Sequence, residues 1–207
     1  MRKLQVSGLR WLIHVAALLP LAVIIWDLTQ GQLTVNPIEQ IQLRTGKSAL
    51  VLLVLSLACR PLSMVHGLKW VLQLRRPLGL YAFTYATLHL LNFIGLDYGF
   101  DLTLLREDIA EKSFAFVGLA AFLLLLPVAL TSTRGWMRRL GKNWERLHWM
   151  VYLAALLAVT HFLLQAKADF REPLIYGMAV LLLLLVRIPG VRRVVRTLRC
   201  RTEEKST

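Results

Sequence analysis

The sequence predicts an all-α integral membrane protein, a bundle of six transmembrane helices with both termini cytoplasmic. Three observations predict it. The chain of 207 residues is 57% hydrophobic, with mean hydropathy +0.56, whereas soluble domains stay near half apolar. Several apolar runs approach the roughly 20 residues that cross a bilayer. Runs such as LLLLLV at 181–186 lack the alternation of a barrel strand, and lipid offers no partner to open backbone, so the spans are helical. Finally, charge alternates from one connection to the next. The N-terminus, alternate connections and tail carry +16 in total, and the three intervening connections carry −3. Positive charge marks the cytoplasmic side. The net +13 therefore reads as topology and not as a nucleic-acid surface, with contact to anionic membrane lipid as a secondary use.

The elements follow in order. Arg2, Lys3 and Arg10 precede an apolar run, 11–26. It is long for a secretory signal, and no small-x-small cleavage site precedes WDLTQGQ, so it is expected to be a retained first span. Asn36, Pro37 and Glu39 supply an N-cap, a proline at the first helical position and an acid in the first turn. They predict a short interfacial helix ending near Gly46. A second span over 48–64, the weakest by length, ends where Arg60 can snorkel to the interface. The third span covers 78–96, the fourth 113–133, the fifth 147–165 and the sixth 173–186, followed by a basic tail, 187–207. No internal repeat or low-complexity linker is visible, so 1–207 reads as a single domain. Cys59 and Cys200 form neither a disulfide framework nor a metal motif. The six tryptophans fall near span ends, as an aromatic belt would.

Ionisable side chains at membrane depth mark functional sites, and imidazole is a common haem-iron ligand. His89 lies 12 residues past Pro77 and His161 lies 15 past Arg146. At about 1.5 Å per residue these are about 18 and 22 Å from the cytoplasmic edge, on two helices that run in the same direction. Two imidazoles at one depth on parallel helices suit a bis-histidine haem, with helix-to-helix hydrogen bonding as the plainer use of either alone. His148 lies near the cytoplasmic edge. It is about 140° around the helix from His161, so the two do not share a stripe. His14 and His66 read as interfacial. Asn92, one turn past His89, orients a ligand or bridges helices. Arg75 and Arg76 suit a propionate, a flavin phosphate or a lipid phosphate, or serve topology alone. No phosphate loop, dinucleotide fingerprint, zinc signature or nucleophile motif occurs, so electrons come from another molecule.

HVAALLP at 14–20, RTGKSAL at 44–50, RRPLGLYAFTYATLHL at 75–90, TSTRGWMRRLGKNWERLHWMVYL at 131–153, Thr160-His161 and PLIYG at 173–177 together resemble the MsrQ family. These are haem-binding membrane subunits of bacterial methionine sulfoxide reductase systems, within the ferric-reductase-like transmembrane group. The resemblance spans about residues 10–190. It implies an inner-membrane electron-transfer subunit carrying haem b and FMN. The implied donor is the quinone pool or a cytosolic flavin reductase. The implied acceptor is a periplasmic molybdopterin-containing subunit that repairs oxidised methionines. By position, His89 and His161 match the haem ligands and His148 matches the third family histidine. The wider ferric-reductase pattern has a further histidine at the start of the third span, where this chain has Arg75 and Arg76, so a second conventionally ligated haem is not expected. The resulting site expectation is His89, His161 and His148 as metal ligands, with Arg75 and Arg76 in cofactor binding. The connections at 27–47 and 97–112 are expected to dock the partner. Two other readings stay open, a stand-alone ferric or quinone reductase and a proton-coupled transporter with the histidines as relays.

Overall fold

The computed structural model describes residues 2–166, 168–188 and 190–191. The remainder of the basic tail, with Cys200, lies outside the described residues. Among these, all regular structure is helical. The α-helices are α1 (Arg2–Thr29), α2 (Pro37–His66), α3 (Arg75–Leu91), α4 (Leu102–Glu111), α5 (Ser113–Leu130), α6 (Arg134–Leu140), α7 (Lys142–His148), α8 (Met150–Gln165) and α9 (Arg171–Leu185). A 3₁₀ turn, Lys69–Gln73, leads into α3, and a π-helix, Asn92–Asp97, follows it.

Four segments are long and apolar enough to cross a membrane: Trp11–Thr29, Pro37–His66, Ser113–Leu130 and Lys142–Gln165. The other two expected spans are shorter α-helices. The third was expected over 78–96, and helix covers it, as the 17 residues of α3 and then the π-helix that follows without a break. With 15 residues, α9 rises only about 23 Å.

The start of α2 corrects the sequence reading. Asn36 caps it as expected, accepting from the Glu39 amide at 3.2 Å while its own amide reaches the Glu39 carboxylate. The helix then continues through Gly46 for 30 residues in one piece. The helix expected to stop near Gly46 and the weak second span are one element, the longest in the chain. Gly46 does not end it, because its missing side chain is used for a close approach described below. Likewise, much of 27–47 and 97–112 is not loop: the first is partly α2 and the second mostly α4.

Two antiparallel hairpins, α2 with α3 and α5 with α8, form the centre, and α1 and α9 flank them. Ala82, Ala154 and Ala155 are at most 1% exposed. Small residues at such crossings let helices approach closely where lipid supplies no hydrophobic drive. The outward faces are apolar, with Trp11, Leu12 and Trp26 of α1 more than 60% exposed, as lipid contact requires.

Side chains from elsewhere in the bundle answer backbone groups near two of the helix prolines. Pro61 has no N–H for the Leu57 carbonyl, and the Arg187 Nη2 donates to that carbonyl at 2.7 Å. Arg187 also donates to the Tyr152 hydroxyl and lies over its ring at 4.6 Å. Next to Pro20, the Tyr85 hydroxyl stands between two α1 backbone groups. It donates to the Ala17 carbonyl at 2.7 Å and accepts from the Leu21 amide at 3.0 Å. An inserted side chain of this kind props open a kinked helix.

Candidate functional site

His89 is near the end of α3 and His161 is near the end of α8. Their ring centroids are 5.9 Å apart and their planes cross at 86°. Each ring is held by the partner helix of its own hairpin. The His89 Nδ1–H donates to the Gln42 carbonyl at 2.9 Å, and the His161 Nδ1–H donates to the Phe114 carbonyl at 2.7 Å. Spending Nδ1 on a carbonyl fixes the tautomer and leaves the Nε2 lone pair for a ligand. One turn beyond each carbonyl stands a glycine against the ring. A Cβ on Gly46 would lie 2.9 Å from His89 Cε1 and Nδ1, and one on Gly118 would lie 2.7 Å from His161 Nδ1.

The pair borders a cavity of about 520 Å³ between the hairpins, lined mostly by apolar side chains. Two imidazoles ligating one metal from opposite faces, each nitrogen about 2 Å from it, place their centroids about 6 Å apart. The observed separation fits. Both Nε2 atoms are left for ligation by the Nδ1 bonds, so the residues present suit a haem. One neighbour has to give way. The Gln42 side-chain amide lies 3.3 Å from His89 Nε2, and its oxygen accepts from Asn92 at 2.6 Å. Asn92 also donates to the Ile38 carbonyl. It therefore bridges the π-helix after α3 to α2, and its Oδ1 is buried without a partner.

His148 belongs to a different place. It ends α7 and borders a second cavity of about 260 Å³, whose walls also carry Arg75 and Arg76. Its Nδ1–H donates to the Trp144 carbonyl at 3.0 Å, and its Nε2 lies 3.4 Å from the Ser132 hydroxyl. With Nδ1 carrying the proton, Nε2 of the neutral ring is a lone pair, and Ser132 does not donate to it, because its own proton goes to the Val128 carbonyl at 2.6 Å. The Trp144 ring lies on His148 at 3.8 Å between centroids, and its Nε1 donates to the Thr131 carbonyl at 3.0 Å. Trp144 is thus a positioned wall of this cavity, where the sequence offered only a belt residue. Among the described residues, no group of three or more His, Cys, Asp or Glu side chains gathers for a metal, so His148 does not join the pair. His14 bonds Tyr81 at 2.9 Å, and His66 is exposed at the end of α2.

Gln42, Gly46, Phe114 and Gly118 were not singled out from sequence. A signal exists in the spacing. Carbonyl and histidine are 47 residues apart in both hairpins, and positions 42, 46 and 89 recur at a constant offset as 114, 118 and 161.

A family model described as a ferric reductase like transmembrane component matches residues 45–159. The chain is also similar to curated proteins along most of its length. It is 45% identical over 186 residues to the protein-methionine-sulfoxide reductase heme-binding subunit MsrQ of Xanthomonas axonopodis pv. citri, covering 86% of this chain and 85% of that one. It is 47% identical to that of Rhodospirillum rubrum, with 87% and 88% covered. It is 41% identical to that of Caulobacter vibrioides, with 91% and 89% covered. No solved structure gives a significant match.

Proposed function

Because this chain belongs to the MsrQ family, the heme-binding subunits of protein-methionine-sulfoxide reductase within the ferric-reductase-like membrane components, we propose that it is the haem b electron-transfer subunit of such a system in the bacterial inner membrane. One observation carries this reading: His89 and His161 face each other at 5.9 Å with both Nδ1 protons spent on main-chain carbonyls. These two residues would hold the haem through Nε2. When bound, it supplies one-electron redox chemistry. Two imidazole ligands leave no open position, which suits electron transfer over oxygen activation.

The rest is done by the chain itself. The carbonyls of Gln42 and Phe114 keep the ligand nitrogens unprotonated and correctly turned. With the haem held there, Gln42 would give up its contact with His89 Nε2 and could keep its bond to Asn92. In the second cavity, His148 Nε2 is the group able to take a proton from a bound quinol, and Arg75 and Arg76 suit the phosphate of FMN. Electrons enter there from the quinone pool or from a cytosolic flavin reductase. With six spans and cytoplasmic termini, the His89–His161 level faces the periplasm. The acceptor is a periplasmic molybdopterin-containing subunit that reduces methionine sulfoxide, and the present chain is not the catalytic subunit. A stand-alone ferric or quinone reductase is the alternative, and electron delivery with and without the periplasmic partner separates the two.

The test is an absorption spectrum of the purified full chain. A reduced low-spin b-type spectrum is expected, lost in His89→Ala and in His161→Ala. If both variants keep the wild-type spectrum, the ligand assignment is wrong.

A further inference from the structure

We propose that Gly46 and Gly118 are positioning residues that lock the planes of the two axial imidazoles nearly perpendicular, and so set the electronic character of the bound haem. This rests on the bis-histidine reading above. The main chain of the partner helix grips each ring at two points. A carbonyl takes the Nδ1 proton, which fixes the ring along one direction. The glycine one turn on presents bare backbone to the same edge, so close that a Cβ would stand 2.9 Å from the His89 ring and 2.7 Å from the His161 ring. Real Cβ atoms do not approach so closely, so a methyl group at either position forces the ring to turn or its carbonyl bond to lengthen. The same device appears in both hairpins with the same 47-residue separation. The angle between the two ring planes, 86°, is therefore set by how the hairpins cross and not by the histidine side chains alone.

Ligand orientation is one of the means by which a protein tunes a haem. In a ferric haem with two imidazoles, parallel planes lift the degeneracy of the iron orbitals and give a rhombic resonance. Perpendicular planes leave those orbitals nearly degenerate and give a highly anisotropic one.

The experiment is electron paramagnetic resonance on the oxidised, purified full chain, with haem content and absorbance measured on the same sample. The expected wild-type result is low-spin absorbance with the highly anisotropic resonance. Gly46→Ala and Gly118→Ala should each move the resonance toward the rhombic form in protein that retains haem. The control is Gly177→Ala, a tight glycine on α9 whose Cβ would meet Val159 at 3.3 Å and no ligand ring. It should leave the resonance unchanged. A rhombic wild-type resonance overturns the proposal while leaving the bis-histidine haem intact, and so does an unchanged resonance in haem-loaded Gly46→Ala and Gly118→Ala. If a glycine variant binds no haem, the wild-type resonance decides. Absence of low-spin absorbance in the wild type refutes the reading underneath.

Discussion

Tyr85→Phe removes one oxygen atom and is expected to loosen α1. The hydroxyl donates to the Ala17 carbonyl at 2.7 Å and accepts from the Leu21 amide at 3.0 Å. Tyr85 is 2% exposed, so water cannot replace it. The phenyl ring fills the same space, and no cavity forms. The loss is therefore that of two hydrogen bonds. Side-chain bonds within membrane bundles average about 0.6 kcal/mol each, which sets a floor of about 1 kcal/mol. Leaving buried backbone groups unpaired raises the cost to about 3 kcal/mol. At about 2–4 °C per kcal/mol for a chain of this size, the midpoint falls by about 2–12 °C. Thermal unfolding of the purified protein in detergent, followed by circular dichroism, measures it. The kink gives a sharper check. In Pro20→Ala the helix straightens and the Leu21 amide can return to the Ala17 carbonyl, so the double variant Pro20→Ala/Tyr85→Phe should lose less than Tyr85→Phe alone. A loss under about 0.5 kcal/mol for Tyr85→Phe, within ordinary surface noise, or strict additivity with Pro20→Ala, refutes the inserted-hydroxyl account.

Other expectations concern separate parts of the molecule. Arg187→Met strands the Leu57 carbonyl freed by Pro61 and should cost about 1–3 kcal/mol in the same unfolding assay. Lys47→Ala breaks the 2.8 Å pair with Glu172, but both side chains are about half exposed, so the cost should stay below about 1 kcal/mol and fade with added salt. The Asp101 carboxylate is held below its usual range by the Thr103 hydroxyl, then by the amides of Leu104 and Thr103. Because its folded value is depressed, the start of α4 gains support above the ordinary carboxylate value and loses it as pH falls through the depressed one. The protection factor at Leu105, its amide exchange relative to the intrinsic rate at each pH, should fall on acidification in the wild type and show no such pH step in Asp101→Asn.

What could be read in advance, and what could not, follows from which atoms do the holding. His89 and His161 were legible because a titratable ring in an apolar run is conspicuous and because residue counting gives depth. The structure puts their ring centroids 5.9 Å apart. The grips on those rings were not legible. A main-chain carbonyl can come from any residue, so Gln42 and Phe114 share no side-chain chemistry, and the repetition between the hairpins leaves no mark in composition. Gly46 misled for a related reason. A glycine beside polar residues signals a helix end, but here it is a place where another ring must come close, and α2 runs through it. The spans were read from apolar runs alone, which carry no mark of the change from α to π winding at Asn92. Trp144 was passed over because a tryptophan near a span end is so common, and only coordinates show it lying on His148.

The Tyr85 hydroxyl also bears on the order in which the molecule is assembled. α1 leaves the ribosome before α3, but the group that answers its opened backbone lies 64 residues further along, on α3. In hydrocarbon nothing else can satisfy those two groups. α1 is thus completed only after α3 has come alongside it, and docking of α1 reports that the helix carrying His89 is already in place.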